Sequence, residues 1–549
     1  MEERIREAVG KLLAEEGAEG ASFSAERPTD MKHGDYAVNA ALAAAKALGK
    51  NPRELAETLA GALREEFGGE LANVEVAGPG FINLTLSRGA VTALVSEAAT
   101  PGEDWGKGDA EEGKKIMVEY TDPNPFKEMH IGHLMSNTIG EGLARLIGNQ
   151  GADIARANYQ GDVGPHVAKA LWGLRKAGIT EPATAKELGK AYAHGARAYE
   201  ESPEAKAEID AINRAVYLGT DPELMELWRK GRDVSLEAFE EIYRILGTKF
   251  SYYFFESEVW RSGASIVQDG VTRGVFEESE GAVIYRGEKK GLHTRVYLTS
   301  QGTPTYDAKE IGLAFAKEER WPSDRSVIIT AAEQISHFEV VKAALEDIAP
   351  LLGAKTEHVA HGFLRLTTGK MSSREGSVIT AAELLRDVVA KAAAKNADPL
   401  IAEQVGIGAV KYMILRQAPG SDIIFDPEKS LSLEGDSGPY LQYALVRAKS
   451  VIAQAEAGDA APDAPAETYA LERVLLHFPE IALRAERALS PNLVVTYLTE
   501  LAGAWNSFYA TERIRGGEHE AYKLRLARAF VSTMTNGLTL LGIPVPEKM

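Results

Sequence analysis

Residues 116–162 hold the pattern that most restricts the fold. An apolar run Ile-Met-Val leads into Glu119, Tyr120, Thr121 and Asp122, a helically periodic stretch runs from His130 to Gly151, and Ala-Asp-Ile-Ala-Arg-Ala-Asn-Tyr-Gln-Gly-Asp follows as far as Asp162. The outer runs have strand length and the middle one places apolar residues three and four apart, so the segment reads strand, helix, strand. Strands separated by a whole helix cannot close a hairpin; they pair in parallel through a right-handed crossover. A doubly wound α/β sheet that binds nucleotides begins in this way, with its ligands at the carboxyl ends of the strands.

With 549 residues, the chain has room for further domains around this unit. Helical spacing at 1–17 and 37–67, followed by two short strands around Gly78-Pro79-Gly80, predicts an N-terminal α+β domain over 1–100. The polar, glycine-rich stretch 101–115 reads as a linker, and the Rossmann domain as 116–380. A mainly helical insertion is expected at about 165–290, including the aromatic run from Tyr252 to Trp260. Ser-Val-Ile-Ile-Thr from Ser326 and the run His358–Leu366 are expected to resume the sheet. Beyond 380 all periodicity is helical, which gives a region 381–434 and an all-α domain 435–549, with an Ala/Asp/Pro-rich loop at 457–468.

Composition removes several classes of function. No cysteine is present, which excludes disulfides, thiolate nucleophiles and cysteine-based zinc sites, so catalysis must use oxygen and nitrogen groups. No apolar stretch is long enough to span a bilayer, and the N-terminal Met-Glu-Glu-Arg-Ile-Arg lacks the pattern of a secretory signal; a cytoplasmic protein is expected. A net charge of -19 argues against non-specific coating of nucleic acid, although residues 471–549 carry nine Lys and Arg against eight Asp and Glu and leave room for a specific RNA contact.

Two short motifs carry chemistry. His130-Ile131-Gly132-His133 stands where the first strand has ended and the helix begins. Imidazoles there add hydrogen-bond donors where helix dipole and free N–H groups already favour phosphate, and they can stabilise charge that develops on a phosphoryl group. The plainer alternative is a pair of capping or core histidines. The second motif, Gly369-Lys370-Met371-Ser372-Ser373-Arg374, is a polar loop between strand and helix, which taken alone would be a solvated turn.

Taken together, these motifs resemble the two signatures of the class I aminoacyl-tRNA synthetases. The segment Val118–Pro125, the N-terminal stretches 33–42 and 77–86 and the C-terminal stretch 435–452 are similar to the arginyl members in particular. The resemblance implies a Rossmann-fold class I catalytic core, an N-terminal α+β domain that touches the tRNA elbow, a stem-contact region and a C-terminal all-α anticodon-binding domain. It also implies that L-arginine is joined to its tRNA(Arg) through an arginyl-adenylate, with ATP as substrate carrying Mg2+, and with transfer to the 2'-hydroxyl of the terminal adenosine. No zinc, no other metal site and no membrane partner are expected, and the chain is expected to act as a monomer.

By the same resemblance, His130, His133, Lys127 and Lys370 are catalytic. Ser373 stands where the family's loop has a second lysine, and Lys127 is assigned the missing charge, with Arg374 as the other candidate. Gly132, His337, Gly362, Phe363 and Met371 join the two histidines and Lys370 around ATP, and Asp162 is placed near the nucleotide. Glu119, Asn124, Glu256, Tyr306, Glu310 and Gln334 are placed around arginine, Glu310 replacing the family's aspartate. A guanidinium is planar, permanently charged and rich in donors, and therefore requires carboxylate or hydroxyl acceptors. Tyr443, Arg447, Tyr509 and Arg513 are the candidates for anticodon bases, whereas Trp505 reads as core. A small-molecule nucleotidyltransferase would not need the flanking domains, and a non-catalytic relative would not need both motifs.

Overall fold

The computed structural model describes residues 1–28, 30–102, 104–367, 379–455 and 464–549. It divides into two compact units, one of Met1–Lys107, Tyr443–Arg484 and Thr496–Gly537, the other of Gly108–Gln442, Ala485–Val495 and Leu538–Met549.

In the first unit, helices Glu2–Glu15, Ala40–Leu48 and Pro52–Phe67 accompany a four-stranded antiparallel sheet. Its strands Leu71–Ala77 and Phe81–Leu86 are the pair expected around the Gly-Pro-Gly turn, and Ala25–Glu26 and Tyr36–Val38 extend it. The added strands are too short to show a period in sequence. The C-terminal helices Asn492–Thr511 and Glu520–Leu540 pack through Trp505, which is wholly buried and stacks on Phe530 at 4.7 Å, the core role expected of it.

The second unit is built on five parallel strands: β1 (Lys115–Glu119), β2 (Asp153–Gln160), β3 (Tyr252–Phe255), β4 (Arg325–Ala331) and β5 (Thr356–His361), in the order β5-β4-β1-β2-β3. Helix α1 (Ile131–Asn149) is the crossover from β1 to β2. The winding direction reverses between β1 and β4, and the crevice beyond their carboxyl ends is where such a sheet binds ligands. β1 is buried along four of its five residues, which is why its run is continuously apolar rather than alternating.

Two expectations about the sheet are corrected. The aromatic run expected within the insertion supplies β3, because Tyr252–Phe255 pairs in parallel with Ala157–Gln160; the all-helical insertion therefore lies between Pro165 and Leu246. Of His358–Leu366, only the portion up to His361 lies in the main sheet. Leu364–Leu366 turns away to pair with Ile423–Phe425, a strand within the stretch read as wholly helical. After β3 come α2 (Glu256–Thr272), a small antiparallel sheet (Glu277–Ser279, Ala282–Tyr285 and Arg295–Leu298) and α3 (Tyr306–Arg320); α4 (Ile335–Ile348) follows β4.

Candidate active site

The turn joining β1 to α1 is tightly determined. Thr121, Asp122 and Phe126 have φ of 80°, 47° and 68°, a left-handed region that residues with a Cβ avoid. Among the polar contacts that hold the turn, three tie it to other elements. The Thr121 N–H donates to Ser136 Oγ at 2.9 Å, the Phe126 N–H to Ser235 Oγ at 2.9 Å, and Asp122 Oδ1 accepts the Tyr159 N–H at 2.8 Å. Strain of this kind persists where surrounding structure fixes it, and here it sets the positions of Asn124 and Lys127. Asn124 lies against Gly161, where any Cβ would collide with its amide oxygen.

At the head of α1, His130 is the N-cap and its Nδ1 accepts the Gly132 N–H at 3.1 Å, while His133 Nδ1 accepts the His130 N–H at 3.2 Å. The two rings stack at 3.7 Å. A side chain at residue 132 would strike the His130 imidazole, which lies 2.8 Å from the place of its Cβ, so Gly132 is required by the cap itself. Burial lowers the pKa of both histidines, and the Lys127 charge lowers them further, so both are neutral at pH 7. A neutral imidazole that accepts at Nδ1 carries its proton on Nε2. Capping thus occupies one nitrogen of each ring and leaves a fixed N–H donor on the other, so the capping and phosphate-binding readings are compatible. The Lys127 ammonium lies 4.4 Å from the Tyr192 ring centroid.

The residues expected around a guanidinium separate into an open and a covered group. Asn124, Glu256 and Tyr306 line a cleft of about 900 Å³ together with His166, Tyr217, Trp260 and Lys309. Glu119 and Glu310 are buried, at 2% and 4% exposure. Sequence reasoning missed two lysines here. Lys309 Nζ is 2.6 Å from Glu256 Oε2, and Lys317 pairs with Glu119, so both acids are already compensated. Both lysines lie on α3 with Tyr306 and Glu310, three to seven residues from one or the other, and helical spacing could have shown that they share the neighbourhood. Glu310 Oε1 is buried and has no hydrogen-bond partner.

At the carboxyl end of β4, Gln334 caps α4 and His337 is buried with Nδ1 3.2 Å from Asp307 Oδ1, its ring 4.9 Å from that of Tyr306. Gly362, just past β5, packs so closely on the Ser421 carbonyl that no Cβ fits. The Phe363 N–H donates to Asp422 Oδ1 at 2.9 Å, and its ring is 41% exposed. Asp162 does not face the nucleotide crevice with a free carboxylate. It is fully buried, accepts from the Ser257 N–H and hydroxyl at 2.9 and 2.7 Å, and pairs with Arg232 at 3.1 Å, which ties β2 to the head of α2. Lys370, Met371, Ser373 and Arg374 lie outside the described residues. The residues flanking them are anchored: the Thr367 N–H donates to Phe425 at 3.1 Å, the Ala381 N–H to Met129 at 2.8 Å, and Thr380 bridges His130. Among the described residues no group of three potential ligands could hold a metal ion.

The sequence model described as "tRNA synthetases class I (R), catalytic domain" matches residues 96–427. Those described as "Arginyl tRNA synthetase N terminal domain" and "DALR anticodon binding domain" match 1–86 and 441–549. The chain belongs to the arginyl-tRNA synthetase family. It is 31% identical to the arginine–tRNA ligase of Treponema pallidum subsp. pallidum, over 100% of this chain and 99% of that one. It is 29% identical to the arginine–tRNA ligase of Treponema denticola, over 99% and 96%. The solved Thermus thermophilus arginyl-tRNA synthetase superposes with a TM-score of 0.84 at 28% identity, covering 100% of both chains.

As an arginyl-tRNA synthetase family member, the chain carries its four anticodon candidates in the other unit. There the Arg447 guanidinium lies 4.2 Å from the Tyr509 ring centroid, Tyr443 is 41% exposed, and Arg513 is exposed with Nε donating to the Arg515 carbonyl at 3.2 Å. No helix among the described residues is long and apolar enough to cross a membrane.

Proposed function

We propose that this chain is an arginine–tRNA ligase. It activates L-arginine with ATP, which brings Mg2+ as part of the substrate, to arginyl-adenylate and pyrophosphate, and passes the arginyl group to the 2'-hydroxyl of the terminal adenosine of tRNA(Arg). The observation that carries the reading is the pairing of opposite chemistries at the switch point of one sheet. Neutral imidazole N–H donors stand at the N-terminus of α1, and Glu310, a buried carboxyl whose Oε1 has no hydrogen-bond partner, stands on α3.

The reaction proceeds by positioning and electrostatics. The arginine carboxylate attacks the α-phosphorus of ATP, and His130, His133, Lys127 and Lys370 stabilise the charge that builds on the phosphates. Lys127 leaves the Tyr192 ring to do so. Gly362 and Phe363 lie against adenine, with Met371 and His337 completing the nucleotide site. Tyr306 and Glu310 take the guanidinium, and Asn124 and Gln334 hold the amino-acid end. Residues 1–100 meet the tRNA elbow, 381–434 its stem, and Tyr443, Arg447, Tyr509 and Arg513 the anticodon bases, by stacking and charge. The enzyme works in the cytoplasm as a monomer. Aminoacylation with each amino acid in turn tests the reading. Arginine alone should be charged, and a folded enzyme that charges another amino acid, or none, would reject it.

A further inference from the structure

Around Glu310 the buried charges do not balance. Glu310 and Lys317 lie two turns apart on one face of α3, close to the carboxyl end of β1. Glu119 is compensated by Lys317, and Glu256 on α2 by Lys309. Asp122, in the turn after β1, has its Oδ1 hydrogen-bonded by the Tyr159 backbone. Glu310 has no cation of its own, its Oε1 is unpartnered, and the phenols facing it are Tyr306 on its own helix, Tyr159 on β2 and Tyr297. Three acids, Glu119, Asp122 and Glu310, therefore share one ammonium, and burial favours whichever ionisation state leaves the least net charge.

We propose that Lys317 is a specificity-determining residue of the arginine site: by neutralising Glu119 it leaves Glu310 as the carboxyl that receives the substrate guanidinium, and one proton leaves Glu310 for solvent as the guanidinium enters. The inference rests on the reading that this site binds arginine. Burial, followed by the charge of Glu119, pushes Glu310 up to about 8, and the same two causes raise Asp122 well above its usual range, so Glu310 is protonated at neutral pH before a guanidinium reaches it. An incoming guanidinium supplies the missing cation and makes the ionised form the stable one. Proton release then couples affinity to pH: arginine binding should tighten as pH rises, by up to about tenfold per unit, and level off above about pH 8.

Isothermal titration of the full chain with arginine at pH 7, in buffers of different ionisation enthalpy, measures the protons released. About one per arginine is expected, falling towards none at about pH 10. Glu310→Gln should abolish the release. Lys317→Met should increase it, because the three acids then lack their one ammonium until the guanidinium arrives. Arginine binding with no buffer dependence at pH 7, or a release unchanged in Glu310→Gln, would overturn the proposal even if Lys317→Met failed to fold. Failure of the folded wild-type chain to bind arginine, with tRNA(Arg) present as well as without it, would instead reject the functional reading beneath it.

Discussion

At the turn from Thr121 to Phe126, three residues with side chains occupy backbone conformations that each cost on the order of 1–3 kcal/mol. That cost is offset by Ser136, Ser235 and the Asp122–Tyr159 bond, and the result is a fixed start for Lys127 and the histidine cap. If Lys127 acts only in the transition state, its loss should lower kcat and leave substrate affinity intact. Lys127→Ala is expected to slow adenylate formation roughly 100-fold in single-turnover experiments, since one transition-state donor is worth about 3 kcal/mol, with Arg374→Ala costing less. Normal activation by Lys127→Ala would return the charge to the loop. Glu310 makes the complementary prediction about ground-state binding. Glu310→Gln should raise the arginine KM by at least about tenfold and leave the ATP KM nearly unchanged, because a guanidinium would face a neutral amide. An unchanged arginine KM would mean that another acid receives the guanidinium.

Among the elements, helix Pro399–Leu415 has an unusual anchor. Its Lys411 is 1% exposed, and Nζ donates to the carbonyls of Leu246 and Gly542 at 2.6 and 2.7 Å. Leu246 ends the long helix Pro222–Leu246, whose last carbonyls have no partner within the helix, so the lysine acts as a C-cap from a different element. Burial, with Arg145 nearby, lowers Lys411 to about 7. The unfolded chain keeps this lysine protonated up to about pH 10.4, so between these values the unfolded state binds more protons and stability rises with pH. Lys411→Met should destabilise by about 1–3 kcal/mol through the two unpaired carbonyls. Thermal melts at pH 7 and pH 9 should show the wild-type advantage widening at the higher pH. A gap that stays the same at the two pH values would mean that the lysine is charged in the fold.

For the whole molecule, the family resemblance carries one further expectation: arginine-dependent exchange of pyrophosphate into ATP should require tRNA. Assays with and without tRNA(Arg) check this, and full exchange without it would show that the site is complete in the chain alone. The -19 net charge makes the ionic strength of the measurement matter, because salt weakens RNA binding in proportion to the number of phosphates the basic residues neutralise and also screens repulsion from the acidic surface.

The doubly wound core could be read from the sequence because its signal is local. A continuously apolar strand, an amphipathic helix opening on His130 and a second strand each lie within one short window, and their order permits only a parallel crossover. The flanking domains were legible for the same reason. What only the tertiary structure decided are the matters of pairing. Tyr252–Phe255 became a sheet strand because β2 had a free edge, and Leu364–Leu366 left the sheet because Ile423–Phe425 offered a partner. Glu119, Glu256 and Asp162 looked alike in sequence as lone acids, but Lys317, Lys309 and Arg232 neutralise them and leave Glu310 without a cation. Periodicity shows which face of an element a residue occupies. Which distant charge it meets there depends on how the elements pack, and in a buried site that contact decides whether a carboxyl is ionised.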